Sequence, residues 1–346
     1  TAVITGTGDY IGGLGGYLKA NTAATRTVSY GYNTASVNGS ETSSNVGGIM
    51  GWGDGLVQYT YAAGETGAIK VTGGINVGSL AGYIDRSIAI NYSYTYVESE
   101  YGMKLAGGVK SGAEITYTNS YYLAKAEDKD DDNAKTAADF ASGKVAWLLG
   151  GGYGTRNTMW TQEKGKLPVT FSNKPIFRVG IIKGAEPDGA SVTITNSPLG
   201  ISDDTDGDGK QWLYVQSGEN IEFTVVTLGV APDYVYGISF IDPLGVMKIS
   251  SAEDGDKTTT VYSVGPITAN YDGQYIVAKD VEPDYAWYDN NPAASIFTIN
   301  NEAQLKGLAY LVNGLRGQPA VTFAGKTVEL GGDITIEGYN WTAIGT

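Results

Sequence analysis

Hydrophobic and polar positions alternate in short bursts along the first third of the chain. Val28-Ser29-Tyr30-Gly31-Tyr32, Val57-Gln58-Tyr59-Thr60-Tyr61, Ile90-Asn91-Tyr92-Ser93-Tyr94 and Ile115-Thr116-Tyr117-Thr118-Asn119 each place an apolar or aromatic residue at every second position. Period two in β-branched and aromatic residues predicts strands. Each burst follows a glycine phrase: Tyr10-Ile11-Gly12-Gly13-Leu14-Gly15-Gly16-Tyr17, Asn45-Val46-Gly47-Gly48-Ile49-Met50-Gly51-Trp52, Asn76-Val77-Gly78-Ser79-Leu80-Ala81-Gly82-Tyr83, and a degenerate copy from Tyr101 to Gly108. The leading glycines at 12, 47, 78 and 102 recur in steps of 35, 31 and 24 residues. Repeats of about 20–50 residues are the mark of stacked supersecondary units. Residues 1–124 therefore read as a parallel β-solenoid. A glycine- and tyrosine-rich sandwich with coincidental repetition is the plainer alternative. A dinucleotide fingerprint needs a helix after its glycines, and here more strand pattern follows.

The texture then changes. Residues 125–173 hold an acidic run, Asp128 with Asp130-Asp131-Asp132, read as a solvated loop. Asp139 follows as a helix cap ahead of Phe140, Val145, Leu148 and Leu149. This short helix serves either as a cover for an open solenoid end or as a linker. Across 174–280, apolar or alternating runs at 176–182, 191–195, 211–216, 220–228, 234–241, 246–250, 258–264 and 274–278 predict an immunoglobulin-like β-sandwich. Its expected core anchors are Trp212, Phe223, Phe240 and Tyr275. Residues 281–294 read as a linker. In 295–346, Leu305, Leu308, Ala309, Leu311 and Val312 form a helical face stopped by Asn313-Gly314. Strands near 320–323, 326–330 and 333–336 then suggest the start of a second solenoid-type region, and the fold class is mainly β.

Composition narrows the chemistry. Among 346 residues there are no Cys and no His, which removes disulfides, thiol nucleophiles, the Ser-His-Asp triad and most transition-metal sites. The net charge of −14 opposes nucleic-acid binding. No apolar stretch is long enough to span a bilayer. The chain opens at Thr1 without a methionine or a signal segment and reads as an excised piece of a longer or processed protein.

The phrase Val-Gly-Gly-Ile/Leu-x-Gly-Tyr/Trp followed by a Tyr/Ser/Thr strand resembles the GLUG-type repeats of bacterial cell-surface, adhesin-like proteins. Asp139–Leu149 with Trp160-Thr161-Gln162 and Leu167-Pro168-Val169 resembles the segment that closes such regions, and Phe297–Leu305 resembles the opening of another. The fourth copy departs from the pattern, with Lys104 inserted and Met103 in place of a glycine. The resemblance implies an extracellular, surface-displayed, architectural or adhesive role and brings no catalytic set with it.

Two local features carry candidate chemistry. Asp203, Asp204, Asp206 and Asp208 surround a glycine turn and read either as a Ca²⁺ loop or as a solvated acidic hairpin. The Glu that an EF-hand requires at its twelfth position is missing. Tyr59, Tyr61, Tyr92, Tyr94 and Tyr96 recur at matching places, and alternation puts Tyr59 with Tyr61, and Tyr92 with Tyr94 and Tyr96, on one strand face. Turned inward they are core; turned outward they form a strip suited to a surface glycan or protein. Scattered acids such as Asp54, Asp85 and Glu98 do not pair on neighbouring turns, so the chain reads as a non-enzyme. A carbohydrate-binding module is the alternative, and a polysaccharide-degrading enzyme comes third. End-to-end self-association is a further expectation.

Overall fold

The computed structural model describes residues 2–19, 27–98, 104–125, 128, 131–152, 159–171, 173–183, 190–196, 199, 201–205, 210–228, 234–239, 246–279, 283–336 and 343–345. For part of the sandwich only the backbone is described.

The first unit is a three-sided parallel β-solenoid. Each full turn contributes to a short sheet, a long sheet and a flank sheet. The short sheet stacks Ile11–Gly12, Ser44–Gly47 and Ile75–Gly78. The long sheet is centred on Met50–Gln58 and Ala81–Asn91. The flank sheet runs from Val3–Gly6 through Ser36–Gly39, Ile69–Thr72 and Tyr94–Glu98 to Tyr121–Leu123 and Ala134–Lys135. In-register pairing places Gly47 opposite both Gly12 and Gly78, so the first three phrases stack as the sequence spacing predicts, and Gly102 lies outside the described residues.

Glycine is required at that column. A Cβ on Gly47 would stand 2.1 Å from the Met50 carbonyl oxygen, and one on Gly78 would stand 2.0 Å from that of Ala81. Backbone therefore meets backbone where the short sheet turns into the long one. The aliphatic residue that follows in each phrase points inward: Ile49, Leu80 and Leu105 lie in one core with Val46, Val57, Ile84 and Ile90. Dispersion and apolar burial between successive turns supply the cohesion.

Two short helices, Ala137–Ala141 and Lys144–Leu149, follow the solenoid, separated by Gly143 at φ 89°. The first is capped by Thr136, not Asp139. Thr136 accepts from the Asp139 backbone, and the Asp139 carboxylate accepts from the Thr136 N–H in return. Both helices lie along the side of the solenoid, on the flank sheet.

A two-sheet β-sandwich comes next. One sheet has five strands, including Ile176–Lys183, Lys210–Gln216 and Tyr271–Lys279, and the other has four, including Ile221–Leu228 and Lys257–Val264. Val179, Leu213, Val215, Phe223, Val225 and Val264 fill the space between them. Trp212 is not among them. It shares a strand face with Tyr214, opposite to Leu213 and Val215, and packs with Tyr214 against Ala146 and Trp147 of the second helix. Phe240 lies outside the described residues, and Tyr275 falls within the strand Tyr271–Lys279.

The last part pairs Ile296–Ile299 in parallel with Thr327–Leu330, joined through the helix Glu302–Asn313. Asn301 caps this helix and Gly314, at φ 68°, ends it. Residues 320–323 and 333–336, expected as strands, are not strands. Among the described residues no helix is long and apolar enough to cross a membrane.

Candidate functional site

The tyrosines line up in two stacks. Tyr30, Tyr59 and Tyr92 form one, with ring centroids 5.2 and 5.1 Å apart and planes within 7° of parallel. Tyr32, Tyr61 and Tyr94 form the other, at 5.1 and 5.3 Å. The two stacks belong to different parts of the turn. Tyr30, Tyr59 and Tyr92 adopt left-handed backbone, φ 60°, 51° and 50°, at the corner between long and flank sheets. The alternation read from sequence is broken there, because the strand Met50–Gln58 ends before Tyr59 and the next begins at Tyr61. Tyr59 and Tyr61 consequently join separate stacks, as do Tyr92 and Tyr94.

The second stack projects outward from the flank sheet, since the neighbouring Ala62 and Tyr122 belong to the solenoid core. It is nevertheless covered. Tyr61, Tyr94 and Tyr121 form one apolar cluster with Phe140, Val145, Leu149, Trp160 and Leu167 of the segment that follows the solenoid. Trp160 is fully buried and stands edge-on to Tyr61 and Tyr94 at 6.1 and 5.6 Å. The Tyr94 hydroxyl donates to the Pro168 carbonyl at 2.7 Å. Gln162, also buried, donates to the carbonyls of Phe140 and Lys166 and so fixes one stretch of the cover to another.

Burial sets the chemistry of these phenols. It pushes Tyr61 up to about 12, with the neighbouring Tyr32 adding to the effect, and Tyr121 to about 12. Tyr94 is raised well above the ordinary value by burial and then by Tyr61. Tyr96 is raised by burial and by Glu98. None of these groups is disposed to act as a base near neutral pH.

Exposure is graded along the stacks. Tyr94 is 0% exposed, Tyr61 8% and Tyr59 7%, while Tyr92 and Tyr96 are half-buried. At the first turn Tyr32 is 55% exposed and Tyr30 42%. Phe171, itself exposed and at φ 67°, lies 5.2 Å from the Tyr30 ring. Sequence reasoning did not single out Phe171, and nothing in its local pattern signals this contact.

Two acids of the solenoid are engaged between turns. Asp54, buried, lies 3.7 Å from Arg86 of the next turn, and Asp85 lies 2.8 Å from Lys110 of the one after. The acidic run expected to be a solvated loop is anchored at Asp131. This carboxylate accepts from the Tyr122 hydroxyl and the Asn133 N–H and pairs with Lys104 at 3.4 Å. A polar groove of about 690 Å³ between the cover and the sandwich is lined by Glu163, Lys164, Gln216, Glu219, Asn220 and Glu222.

Asp203 and Asp204 fall in the strand Ile201–Thr205, and Asp206 and Asp208 lie outside the described residues. Among the described residues no group of three or more acidic side chains is placed to hold a metal ion. Compared with protein-family models, curated proteins and solved structures, the chain matches none.

Proposed function

We propose that this chain is a non-catalytic structural and adhesive segment of a secreted or surface-displayed bacterial protein, built on GLUG-type repeats. The observation that carries the reading is the use made of its aromatic and charged side chains. Each tyrosine stack joins successive turns, the stack of Tyr61 and Tyr94 also lies under the cover, and Asp54 and Asp85 each neutralise a cation on the adjacent turn. Such a construction favours stiffness along the stack and leaves few groups for chemistry. Its partners in this reading are a host or bacterial surface glycan or protein and a second copy of the chain. A glycan-binding reading draws support from Tyr30, Tyr32 and Phe171, the exposed aromatics beside the first turn.

The test couples the chain to fluorescent beads. Their retention on bacterial and host cell surfaces is measured, and a panel of polysaccharides is assayed in parallel for release of reducing ends. Retention without release is expected. Turnover of any polysaccharide would overturn the reading, and retention no better than bare beads would remove its adhesive half.

A further inference from the structure

The stack of Tyr59 and Tyr92 is built by the register of the long sheet. Val57 pairs with Ile90 and Gln58 with Asn91, so the two tyrosines leave neighbouring strands at the same point. Each extends the ladder by one step, Tyr59 donating its N–H to the Asn91 carbonyl and Tyr92 to that of Thr118, at 3.1 and 2.7 Å. Both then turn through left-handed backbone, φ 51° and 50°. Equal backbone at paired positions sends the two side chains off in the same direction. Their rings consequently lie 5.1 Å apart and within 7° of parallel.

Parallel phenols in register have a chemistry of their own. A quarter-turn of both rings about the Cβ–Cγ bond sets them edge to edge. A carbon ortho to one hydroxyl then faces its counterpart on the next turn, and these are the carbons through which tyrosyl radicals join.

The two stacks differ in their freedom to do this. Trp160 stands edge-on to Tyr61 and Tyr94 at 6.1 and 5.6 Å, and Phe140 lies 5.5 Å from the Tyr94 ring. A ring turning there meets the cover. The Tyr94 hydroxyl is also bonded to the Pro168 carbonyl, which cannot take the proton that an oxidised phenol must lose. Tyr92, by contrast, is half-buried and meets solvent. Tyr59 is 7% exposed and stands between Tyr30 and Tyr92, so its stacked partners are phenols of the adjacent turns.

Composition gives such a coupling a use. The chain has 25 Tyr and no Cys. Disulfides, the usual covalent reinforcement in oxidising surroundings, are closed to it. A link between tyrosines needs no thiol.

We infer that Tyr59 and Tyr92 form a site of oxidative cross-linking, at which a one-electron oxidant from outside the chain, of the peroxidase-haem class, joins the two phenols as dityrosine. Each phenol gives one electron to the oxidant and its hydroxyl proton to water. The two phenoxyl radicals form one carbon–carbon bond between ortho carbons. The hydrogen on each of those carbons then moves through solvent to the ring oxygen, which restores both phenols. Two equivalents of oxidant are reduced and two protons are released. The product staples one turn of the solenoid to the next. It adds to the structural reading above and requires no adhesive partner.

Photo-oxidation of the full chain with tris(bipyridyl)ruthenium and persulfate, which generates a one-electron oxidant of tyrosine, tests this at low protein concentration. Dityrosine fluorescence on the monomeric chain is expected. Peptide mass spectrometry should locate a link from the peptide holding Tyr59 to the one holding Tyr92, lighter than the pair by two hydrogens. A link from Tyr59 to Tyr30 is the same reaction one turn earlier and supports the inference. Tyr59→Phe keeps a ring in the stack and should abolish both links, whereas Tyr94→Phe should leave their yield unchanged. Circular dichroism checks that both variants fold. The urea midpoint of the linked parent should rise, because a cross-link restricts the unfolded chain, and the same treatment should not raise that of Tyr59→Phe.

Absence of dityrosine would overturn the inference, as would links confined to tyrosines outside this stack or formed only between molecules. A Tyr61–Tyr94 link in equal yield, or an undiminished Tyr59–Tyr92 link in the urea-unfolded chain, would do the same. None of these outcomes bears on bead retention or polysaccharide turnover, which judge the structural and adhesive reading separately.

Discussion

The guanidinium carbon of Arg178 lies 3.8 Å from the ring centroid of Trp212, and the opposing Trp147 ring is 4.4 Å from it. Arg178 and Trp212 belong to neighbouring strands of the sandwich, whereas Trp147 comes from the helix that covers the solenoid. Asn270 completes the joint by accepting from both the Trp147 indole and the Arg178 backbone. A flat, weakly hydrated guanidinium stacks on two rings at a smaller desolvation cost than a compact, strongly hydrated ammonium. Arg178→Lys should therefore destabilise the joint by about 1–2 kcal/mol. Urea unfolding followed by tryptophan fluorescence and by far-ultraviolet dichroism checks this: coincident transitions in the parent should separate in the variant.

Trp160 is the central residue of the flank cover. Its replacement by Ala removes a fully buried indole from between Tyr61, Tyr94 and their neighbours. A loss of about 3–5 kcal/mol is expected, with new binding of a hydrophobic dye to the uncovered tyrosine stack. Denaturant midpoints and dye fluorescence measure the two effects.

Gly47→Ala and Gly67→Ala make a matched pair. The first places a methyl against the Met50 carbonyl and the Gly82 nitrogen, neither of which can yield without moving a strand. It should cost about 3 kcal/mol or more. Gly67 has open space around its Cβ position and ordinary backbone. Its substitution should be neutral or stabilising by a few tenths of a kcal/mol to about 1. Thermal unfolding of the two variants side by side gives the comparison.

Alkali should unfold the solenoid in a defined window. Tyr61 and Tyr121 ionise at about 12 in the folded chain, against 10.0 for an ordinary phenol, and Tyr94 is shifted the same way. The folded state thus holds protons that the unfolded state has released. Stability is intact below pH 10 and falls as pH rises towards 12. Phenolate absorbance of the buried tyrosines should rise together with loss of β-sheet dichroism.

Tyr94→Phe removes the hydrogen bond to the Pro168 carbonyl while keeping the ring in its stack. About 1 kcal/mol should be lost. The buried part of the phenolate titration should shrink correspondingly, as a spectrophotometric titration of the variant would record.

The glycine columns were legible in the sequence because sterics leave one residue type there. Gly12, Gly47 and Gly78 announce the stacking register without help from any distant contact. The sandwich was legible for a similar local reason, its strands being bounded by turn residues. The corner at Tyr59 was not. Asn45, Asn76 and Asn119 advertise left-handed backbone, but tyrosine at φ 51° carries no such signal, and the period-two pattern runs unbroken through it. The burial of Tyr61 and Tyr94 depends on Phe140, Trp160 and Leu167, far along the chain, and strand periodicity does not contain that information. Trp212 reads from the sequence as an aromatic anchor of the sandwich core, while the strand register turns it outward to Arg178.

A pile of similar turns in contact only with their neighbours would open like a zipper from whichever end is weaker. The segment over the flank changes that behaviour, because one continuous apolar cluster grips Tyr61, Tyr94 and Tyr121 on successive turns. Those turns must let go together or not at all. Amide hydrogen exchange should therefore divide the solenoid into a slow block, latched by Phe140 and Trp160, and a fast leading turn. The leading turn meets this segment through the contact of Phe171 with Tyr30. Cooperativity is in this sense imported from outside the repeat, and the boundary between the two exchange classes marks how far the latch reaches.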